Sequence, residues 1–509
     1  MKTFAVIDIG SNTIRLVIYE LSTYRSFKEI ENVKIAARLR NYLSNDGYFS
    51  TEGMTQLVET LSIFKEIIHN HQVDELKVIA TATIRQAKNQ QRIIDTVRNE
   101  TGFTIQVLTE YEEAYYGYLS VVNSTSIQNG IAIDIGGGST EITLFQDRKF
   151  IQYHSFPFGA LSLANDFIEG QVPTKEEIHQ LKTFITNELT THDWIRSTFV
   201  PIVGIGGSAR NMVQIDQAIK SYPIASVHQY ELTQRDISHM IDYLSSLSFD
   251  SLQKVEGLSK DRADTIVPAL IVFLVLMEIS NAPSFILSRK GLREGLMYDQ
   301  MTKTFDPPLL PKVVEESFFE LANDFQIDIK HAVYTTNLCT KMFYFLQPYI
   351  PFSLTDDDLL LLRRASYTFH LGEYIDSESS SQHTFYVLAN RTINGLSHKE
   401  KIELALLSSY KSNRIFKQYV TPFRNWFSKE ELKKIRFLGS LLKFTYSFNY
   451  TKRQIVKDIS VTRGNDGLHV NLYCQKNWIG EYEQIEKQKK HLEKNLKTTI
   501  ILTFAKEHT

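Results

Sequence analysis

Two short turns in this chain combine aspartate, glycine and hydroxyl residues in a way that suits phosphate chemistry. Asp8 comes two residues before the first turn, and Asp134 comes two residues before the second. Glycine-rich turns expose backbone N–H groups and let a phosphate approach without a Cβ in the way. We therefore predict that the two turns clamp phosphate from two sides. Their residues are Gly10, Ser11, Asn12 and Thr13 in the first turn, and Gly136, Gly137, Gly138, Ser139 and Thr140 in the second.

Carboxylates surround the same turns. Asp8, Asp134 and Glu141 are placed where they can hold a divalent cation or its water shell. The segment TEYEEAYYGYLSVV begins a predicted helix and puts Glu112 and Glu113 in its first turn. Hydrolysis needs a base that orients or deprotonates water. Acidic residues in a first helical turn are also favourable dipole partners, so the spacing alone leaves both roles open.

A third glycine segment and three arginines complete the phosphate-binding pattern. Guanidinium groups match two phosphate oxygens at once. Each arginine alone is better explained as a surface residue, but beside three glycine segments the set predicts a phosphate cleft. The residues are Gly206, Gly207 and Ser208 of the third segment, and Arg85, Arg210 and Arg262.

The elements around these residues predict a duplicated α/β unit. FAVIDIGSNTIRLVIYEL and GIAIDIGGGSTEITLF both read as β-hairpins, which suggests one copy in each of two similar domains. Prolines near residue 307 indicate a linker, followed by a mostly helical region and a short terminal region of strands and one helix. We predict four domains, with bounds 1–124, 125–303, 304–446 and 447–509.

Composition and sequence patterns indicate the class of protein and its cellular location. Hydrophobic residues make up 43% of the chain and charged residues 22%, as in soluble globular proteins. The most apolar stretch, from Ile266 to Met277, contains Pro268 and is too short to span a bilayer. Two distant cysteines argue against a disulfide framework or a zinc site. Without a signal-peptide pattern at the N-terminus, we expect a cytoplasmic protein with no membrane or nucleic-acid partner.

Positive charge is concentrated in one region. The stretch from Arg391 to Lys457 contains 15 basic and 4 acidic residues. Such a concentration is typical of a polyanion-guiding surface, and equally of a solvated basic helical surface. The candidate polyanion-guiding residues are Lys411, Arg414, Lys417, Lys433, Lys434 and Arg436.

Seven motifs, in order, resemble the exopolyphosphatase/guanosine pentaphosphate phosphohydrolase (Ppx/GppA) family. They are IDIGSNTIRL, ATATIRQAKN, EYEEA, IDIGGGSTE, GIGGSARN, DRADTIVP and GLREGL, and they span Met1 to about Gln300. The resemblance implies two actin-like ATPase domains of the acetate and sugar kinase/Hsp70/actin fold, which close on a phosphate cleft. It also implies Mg²⁺, alone or together with K⁺.

The resemblance carries roles over by motif. It implies that the catalytic glutamate is Glu113, with Glu112 as the alternative, since the intervening loop length can differ. Asp134 and Glu141 match acidic residues that support metal and catalytic water, and Asp8 matches the aspartate of the first turn. Arg85 matches an arginine that contacts phosphate. The GIGGSARN segment departs slightly from the family wording but keeps Arg210.

The C-terminal half resembles the long members of the family, which append a helical HD-like domain and a small α+β domain. His331 and His370 fall where the two HD histidines belong, but Leu371 replaces the metal-binding aspartate. A two-metal site lacking one carboxylate ligand should not work. We therefore expect this domain to be structural and polyanion-guiding, and His370 and His383 to be packing or surface residues.

The expected function is exopolyphosphatase, which releases orthophosphate from the ends of inorganic polyphosphate. The first alternative is hydrolysis of guanosine pentaphosphate, which the resemblance does not separate from it. A polyphosphate- or alarmone-binding regulator with weak catalysis, and a sugar or acid kinase of the same fold, are rivals from other classes. The long basic C-terminal half favours polyphosphate, and we expect a homodimer.

Overall fold

The structure is a computed structural model, and it describes residues 2–21, 27–303, 305 and 307–506. The predicted domain boundary at residue 304, Asp306 of the predicted linker, and the two chain ends lie outside the described residues. The chain forms two compact units: residues 1–222 with 227–313, and residues 223–226 with 314–509. The four predicted domain bounds remain a prediction.

The first unit contains two mixed sheets. The five-stranded sheet has the order β3-β2-β1-β4-β5, and the six-stranded sheet has the order β10-β11-β9-β6-β7-β8. The strands are β1 (Lys2–Ile9), β2 (Ile14–Leu21), β3 (Phe27–Ile35), β4 (Glu75–Ala80), β5 (Ile105–Val107), β6 (Gly130–Ile135), β7 (Thr140–Gln146), β8 (Lys149–Phe156), β9 (Ile202–Ile205), β10 (Glu231–Leu232) and β11 (Phe285–Leu287).

The two sheets repeat one topology, which confirms both predicted hairpins and the duplication. In each sheet a central strand, β1 or β6, pairs antiparallel with the second strand of its hairpin and parallel with a later strand. Asp8 and Asp134 are each the penultimate residue of that central strand. The turns that follow therefore leave the carboxyl ends of the parallel strands, where crevices form in open α/β sheets.

Helices cover both sheets. One of them, from Ile266 to Ser280, is apolar on all sides and almost wholly buried in the core of the six-stranded sheet. The helices of the first unit are α1 (Thr51–Asn70), α2 (Ala82–Gln86), α3 (Gln90–Thr101), α4 (Glu110–Val122), α5 (Ala160–Phe167), α6 (Lys175–Thr190), α7 (Gly206–Ile219), α8 (Gln234–Ser245), α9 (Phe249–Leu252), α10 (Ile266–Ser280) and α11 (Leu292–Thr302).

The second unit is mainly helical and ends in a small three-stranded sheet with the order β12-β13-β14. Its elements are α12 (Val313–Asp324), α13 (Ile329–Leu346), α14 (Asp356–Thr368), α15 (Ser380–Asn390), α16 (His398–Ser408), α17 (Asn413–Val420), α18 (Lys429–Tyr446), β12 (Val456–Arg463), β13 (Leu468–Cys474), α19 (Ile479–Leu496) and β14 (Ile500–Lys506). Among the helices in the described part of the chain, none combines the length and apolarity needed to cross a bilayer.

Candidate active site

The two glycine turns face each other across a cleft in the first unit. A Cβ added to Gly137 would lie 3.1 Å from the Cβ of Ser11, so the second turn approaches the first closely. Asp8 and Asp134 line the same cleft. Two sheets of repeated topology thus present equivalent turns and equivalent aspartates to one space, as the sequence predicts.

The two candidate glutamates of helix α4 make different contacts. Glu112 is the third residue of the helix and forms a capping box, in which Thr109 N donates to its Oε2 at 2.8 Å. Glu113 turns into the cleft, where Arg85 Nη1 donates to its Oε2 at 2.7 Å. The same Arg85 atom donates to the carbonyl of Leu108 at 3.1 Å. The geometry therefore gives Glu112 a helix-capping contact and leaves Glu113 at the cleft.

Arg85, which the sequence predicts to contact phosphate, does not line the cleft. Its guanidinium lies behind Glu113 and holds that carboxylate in place. Burial, together with the charges of Asp134 and Asp8, raises the pKa of Glu113 to about 7, although the charge and hydrogen bond of Arg85 act to lower it. A carboxylate that titrates near neutral pH is suited to act as a general base.

Asp134 is the cleft carboxylate that remains free for a cation. Within the described residues, no hydrogen-bond donor or ion-pair partner contacts its side chain. Burial, followed by the charge of Asp8, raises its pKa to about 6. Its Oδ1 packs against Gly206, where an added Cβ would lie only 2.4 Å away, and Gly206 has a φ of 85°. Only glycine fits at that position.

Asp8, which the sequence predicts as a metal ligand, forms an ion pair in this structure. Arg293 Nη1 donates to Asp8 Oδ2 at 2.8 Å, and both side chains are largely buried. The next residue, Glu294, is buried and accepts a hydrogen bond from the hydroxyl of Tyr19 at 3.1 Å. The beginning of α11 thus contacts the first sheet through two adjacent charged residues. The carboxylate of Asp8 is therefore ion-paired with Arg293 in this structure.

Glu141 lies behind the cleft. Its Oε1 accepts a hydrogen bond from Ser155 Oγ at 2.9 Å, and the side chain is buried. Burial, with the nearby charges of Glu113 and Asp134, raises the pKa of Glu141 well above its ordinary value. Glu141 is therefore coupled electrostatically to the cleft carboxylates without facing the open space.

The third glycine segment is the first turn of a helix, where the sequence suggested a loop. Gly206, Gly207 and Ser208 begin α7, so their backbone N–H groups lie at a helix N-terminus, a natural anion site. Arg262 packs closely against Gly207, and its Nη1 donates to Ser208 Oγ at 3.2 Å. Arg210 also lines the cleft.

Most predicted site residues meet in this cleft. Those that line it are Asp8, Gly10, Ser11, Asn12, Thr13, Glu113, Asp134, Gly136, Gly137, Ser139, Gly206, Gly207, Arg210 and Arg262. The predicted site residues that do not line it are Arg85, Glu112, Gly138, Thr140, Glu141 and Ser208. The buried hydroxyl of Thr140, for example, donates to the carbonyl of Phe158 at 2.8 Å.

Three further arginines line the cleft and were not singled out from the sequence. They are Arg15, Arg289 and Arg293. Burial, with the charges of Arg293 and Arg210, lowers the pKa of Arg15 to about 10. Guanidinium groups this close to one another indicate a site for an anion carrying several charges. Arg15 faces Asp8 in the β1–β2 register, and Arg293 belongs to the GLREGL motif, so signals for both were present.

The six candidate polyanion-guiding residues divide into two kinds in the second unit. Lys411, Arg414 and Lys417 are exposed at and just before α17. Lys434, in contrast, lies 3.3 Å from Asp358 Oδ2 in a half-buried ion pair. Of the other two, Lys433 is exposed and packs over the ring of Phe352, and Arg436 has a buried Nε without a partner. Three of the four exposed residues therefore lie at or just before α17.

Two histidines of the second unit, His331 and His370, contact polar side chains. Asn449 Nδ2 donates to His331 Nδ1 at 2.6 Å, and His370 Nδ1 lies 3.1 Å from Glu373 Oε1. Leu371 is buried. In the described part of the chain, no three His, Cys, Asp or Glu side chains come together as metal ligands.

His370→Ala should therefore retain phosphate release within a few-fold, since the cleft lies in the first unit. Activity assays and metal analysis of the purified variant test this. A stoichiometric transition metal that is present in the wild type and lost from the variant would contradict it.

Comparison with known proteins gives consistent matches. The Ppx/GppA phosphatase family model matches residues 17–304, and the model of Ppx/GppA phosphatase domain III matches residues 313–497. A Ppx/GppA family member of Aquifex aeolicus is 27% identical with a TM-score of 0.53, over 60% of this chain and 98% of that one. An exopolyphosphatase from Cytophaga hutchinsonii is 21% identical with a TM-score of 0.54, over 59% and 98%. At that identity the second match supports the fold alone.

Proposed function

Because this chain belongs to the Ppx/GppA phosphatase family, we propose that it is an exopolyphosphatase that removes terminal phosphate from inorganic polyphosphate. The observation that carries the proposal is Glu113, a largely buried carboxylate with a pKa of about 7 that faces two glycine turns and several arginines in one cleft. The repeated sheet topology supports the actin-like ATPase fold for the first unit. The exposed basic residues at α17 favour a long polyanion as substrate.

In the proposed reaction, water attacks the terminal phosphorus and the anhydride P–O bond breaks, so orthophosphate and a shortened chain leave. Glu113 orients the water and accepts its proton. Backbone N–H groups of the two turns and of α7 donate to the phosphoryl oxygens, and Arg262 and Arg210 balance their charge. Arg85 holds Glu113 in place through the 2.7 Å ion pair.

We propose Mg²⁺ as the cation of the site. Mg²⁺ is usually bound by one or two carboxylates together with substrate phosphates and water. The unpartnered carboxylate of Asp134 fits that requirement, and Asp8 would join it only by sharing its contact with Arg293. When bound, the cation supplies charge neutralisation at the phosphoryl oxygens.

The test is to incubate the purified protein and Mg²⁺ with long polyphosphate and guanosine pentaphosphate in parallel. Faster phosphate release from polyphosphate supports the proposal, and preference for the nucleotide would favour the alternative. Tight binding of either compound without turnover would instead indicate a regulator.

The ionisation of Glu113 predicts the pH dependence of the reaction. A general base works only when ionised, and its raised pKa means that the ionised fraction falls below about pH 7. We expect kcat/KM to fall roughly tenfold per pH unit on the acid side of that value. In Arg85→Gln, which loses a cation that lowers this pKa, the profile should move to higher pH. A profile that stays flat from pH 8 to pH 5 would contradict the assignment.

The basic residues at α17 predict a chain-length effect. Replacing Lys411, Arg414 and Lys417 by glutamine should raise KM for long polyphosphate and weaken its salt dependence, because fewer condensed counterions are released on binding. Short substrates that reach only the cleft should be hydrolysed almost unchanged.

A matched control removes the same charge from lysines of the second unit that already have acidic partners. These are Lys341, Lys399 and Lys489. If both triple variants behave alike on long chains, the exposed charge at α17 is only a solvated surface.

A further inference from the structure

The segment after β3 contacts the first glycine turn through its backbone. Arg38 N donates to the carbonyl of Asn12 at 2.9 Å, and Arg40 N donates to that of Ser11 at 3.0 Å. Arg38 has a φ of 45° and a left-handed conformation, which is costly for a residue with a side chain. Such a conformation persists only where the surroundings fix it. The backbone of Arg38 is therefore a rigid support of the first turn.

The side chain of Arg38 reaches the opposite domain. Its Nη2 donates to the carbonyl of Asp261 at 3.4 Å, and its Nη1 lies 3.5 Å from Asp264 Oδ2. Lys34 on β3 adds a third link, with its Nζ 2.7 Å from Asp261 Oδ2. Three contacts thus join residues 34–38 to the short segment from residue 261 to residue 264.

Arg262 lies between the two contacted aspartates. Its guanidinium lines the cleft, packs on Gly207 and donates to Ser208 at the start of α7. A continuous series of contacts therefore runs from the first turn through Arg38 to the segment that presents Arg262. Both ends of the series are predicted phosphate contacts.

One atom in this series is left without a partner. Asp264 Oδ1 is buried and has no hydrogen bond, whereas Oδ2 faces Arg38. Arg38 and Asp264 also border a polar cavity of about 710 Å³, which leaves the arginine room to move. A guanidinium can donate to both oxygens of a carboxylate in a fork. A small shift of Arg38 would satisfy the orphaned oxygen and shorten the contact.

We propose that Arg38 is a positioning residue that couples the first glycine turn to Arg262. Binding of phosphate groups at the turn and at Arg262 draws the two sides together, and Arg38 then forms the two-pronged ion pair with Asp264. The coupling makes the two contacts cooperative, so its loss weakens binding of a phosphate chain. This inference rests on the proposed function, because it assumes that phosphate occupies the cleft.

The first measurement needs no ligand. Hydrogen exchange of residues 259–265 is compared in the wild type, Arg38→Gln, Asp264→Asn and the double variant. We expect exchange in Arg38→Gln to be about fivefold faster, the effect of losing one partly exposed ion pair. The double variant should be no faster than the worse single variant, since the two residues act through each other.

The second measurement is calorimetric binding of inorganic tripolyphosphate, with Glu113→Gln in every protein so that the ligand survives. Arg38→Gln should bind about fivefold more weakly, and Arg38→Lys should recover only part of the loss because lysine lacks the fork. Lys2→Gln is the control, because Lys2 Nζ lies 2.5 Å from Glu75 Oε1 at the start of β1, away from the turn. The affinity of Lys2→Gln should match that of the protein carrying Glu113→Gln alone.

Faster exchange without weaker binding would overturn the coupling, because Arg38 would then be structural only. Unchanged exchange in Arg38→Gln would overturn it as well. If tripolyphosphate fails to bind even with Arg38 intact, the proposed function fails, and the exchange comparison alone decides whether Arg38 holds the Arg262 segment.

Discussion

Glu113→Gln is expected to lower turnover by about two to four orders of magnitude, the scale of a lost general base. The amide keeps the size of the side chain and its hydrogen bond with Arg85, but it accepts no proton from water. Folding and substrate binding should therefore be preserved. Steady-state phosphate release, together with the thermal midpoint and substrate affinity of the variant, checks the prediction.

Glu112→Gln is the matched control for this change. Glu112 has the same chemistry, one residue away, but its carboxylate caps α4 by accepting from Thr109 N and Oγ1. The glutamine variant should lose little stability and keep near-normal turnover, since glutamine also serves in a capping box. A dead Glu112→Gln beside an active Glu113→Gln would exchange the two roles. Full activity in both would rule out Glu112 and Glu113 as the base.

The sequence predicted much of the fold because local signals mark where elements end. Helices α1 and α3, which span Thr51–Asn70 and Gln90–Thr101, both carry such signals. Ser50 caps the first by accepting from Gly53 N, and Gly102 ends the second in a left-handed conformation. The third glycine segment was harder, since a strand that enters a helix directly leaves no separate loop signal.

The choice between Glu112 and Glu113 could have been made from the sequence. Thr109 stands three residues before Glu112, which is the spacing of a capping box. That pattern assigns Glu112 to the helix end and leaves Glu113 for the cleft. The predicted role of Glu113 itself depends on the family resemblance and on the geometry, and it remains to be measured.

The contacts of Asp8 and Arg85 could not have been predicted locally. Asp8 and Arg293 are separated by 285 positions, and Arg85 and Glu113 by 28. No periodic pattern encodes which charged side chains meet across such separations, because the meeting depends on how the sheets and helices pack. The motifs indicated residues most of which meet at the cleft, whereas their partners required the three-dimensional structure.

Arg293→Met should reduce the free energy of unfolding by about 3–5 kcal/mol, the cost of leaving a buried charge without its partner. Asp8 is largely buried, and within the described residues Arg293 is its one ion-pair partner. Methionine fills a similar volume, so the loss reports on charge more than on packing. Chemical denaturation at neutral pH gives the value. Phosphate release should also fall sharply, because Asp8 and the first turn would shift.

Two comparisons test that reasoning. Arg289→Met makes the same chemical change at an exposed arginine of the same cleft, and its stability should change by about 0.5 kcal/mol or less. Asp8→Asn combined with Arg293→Met removes both charges and should recover part of the stability that Arg293→Met loses, because no unpaired carboxylate remains. If Arg289→Met and Arg293→Met lose the same stability, or if the double variant is the least stable, the ion pair does not fix Asp8. The carboxylate would then be available to a cation in the way that the sequence first suggested.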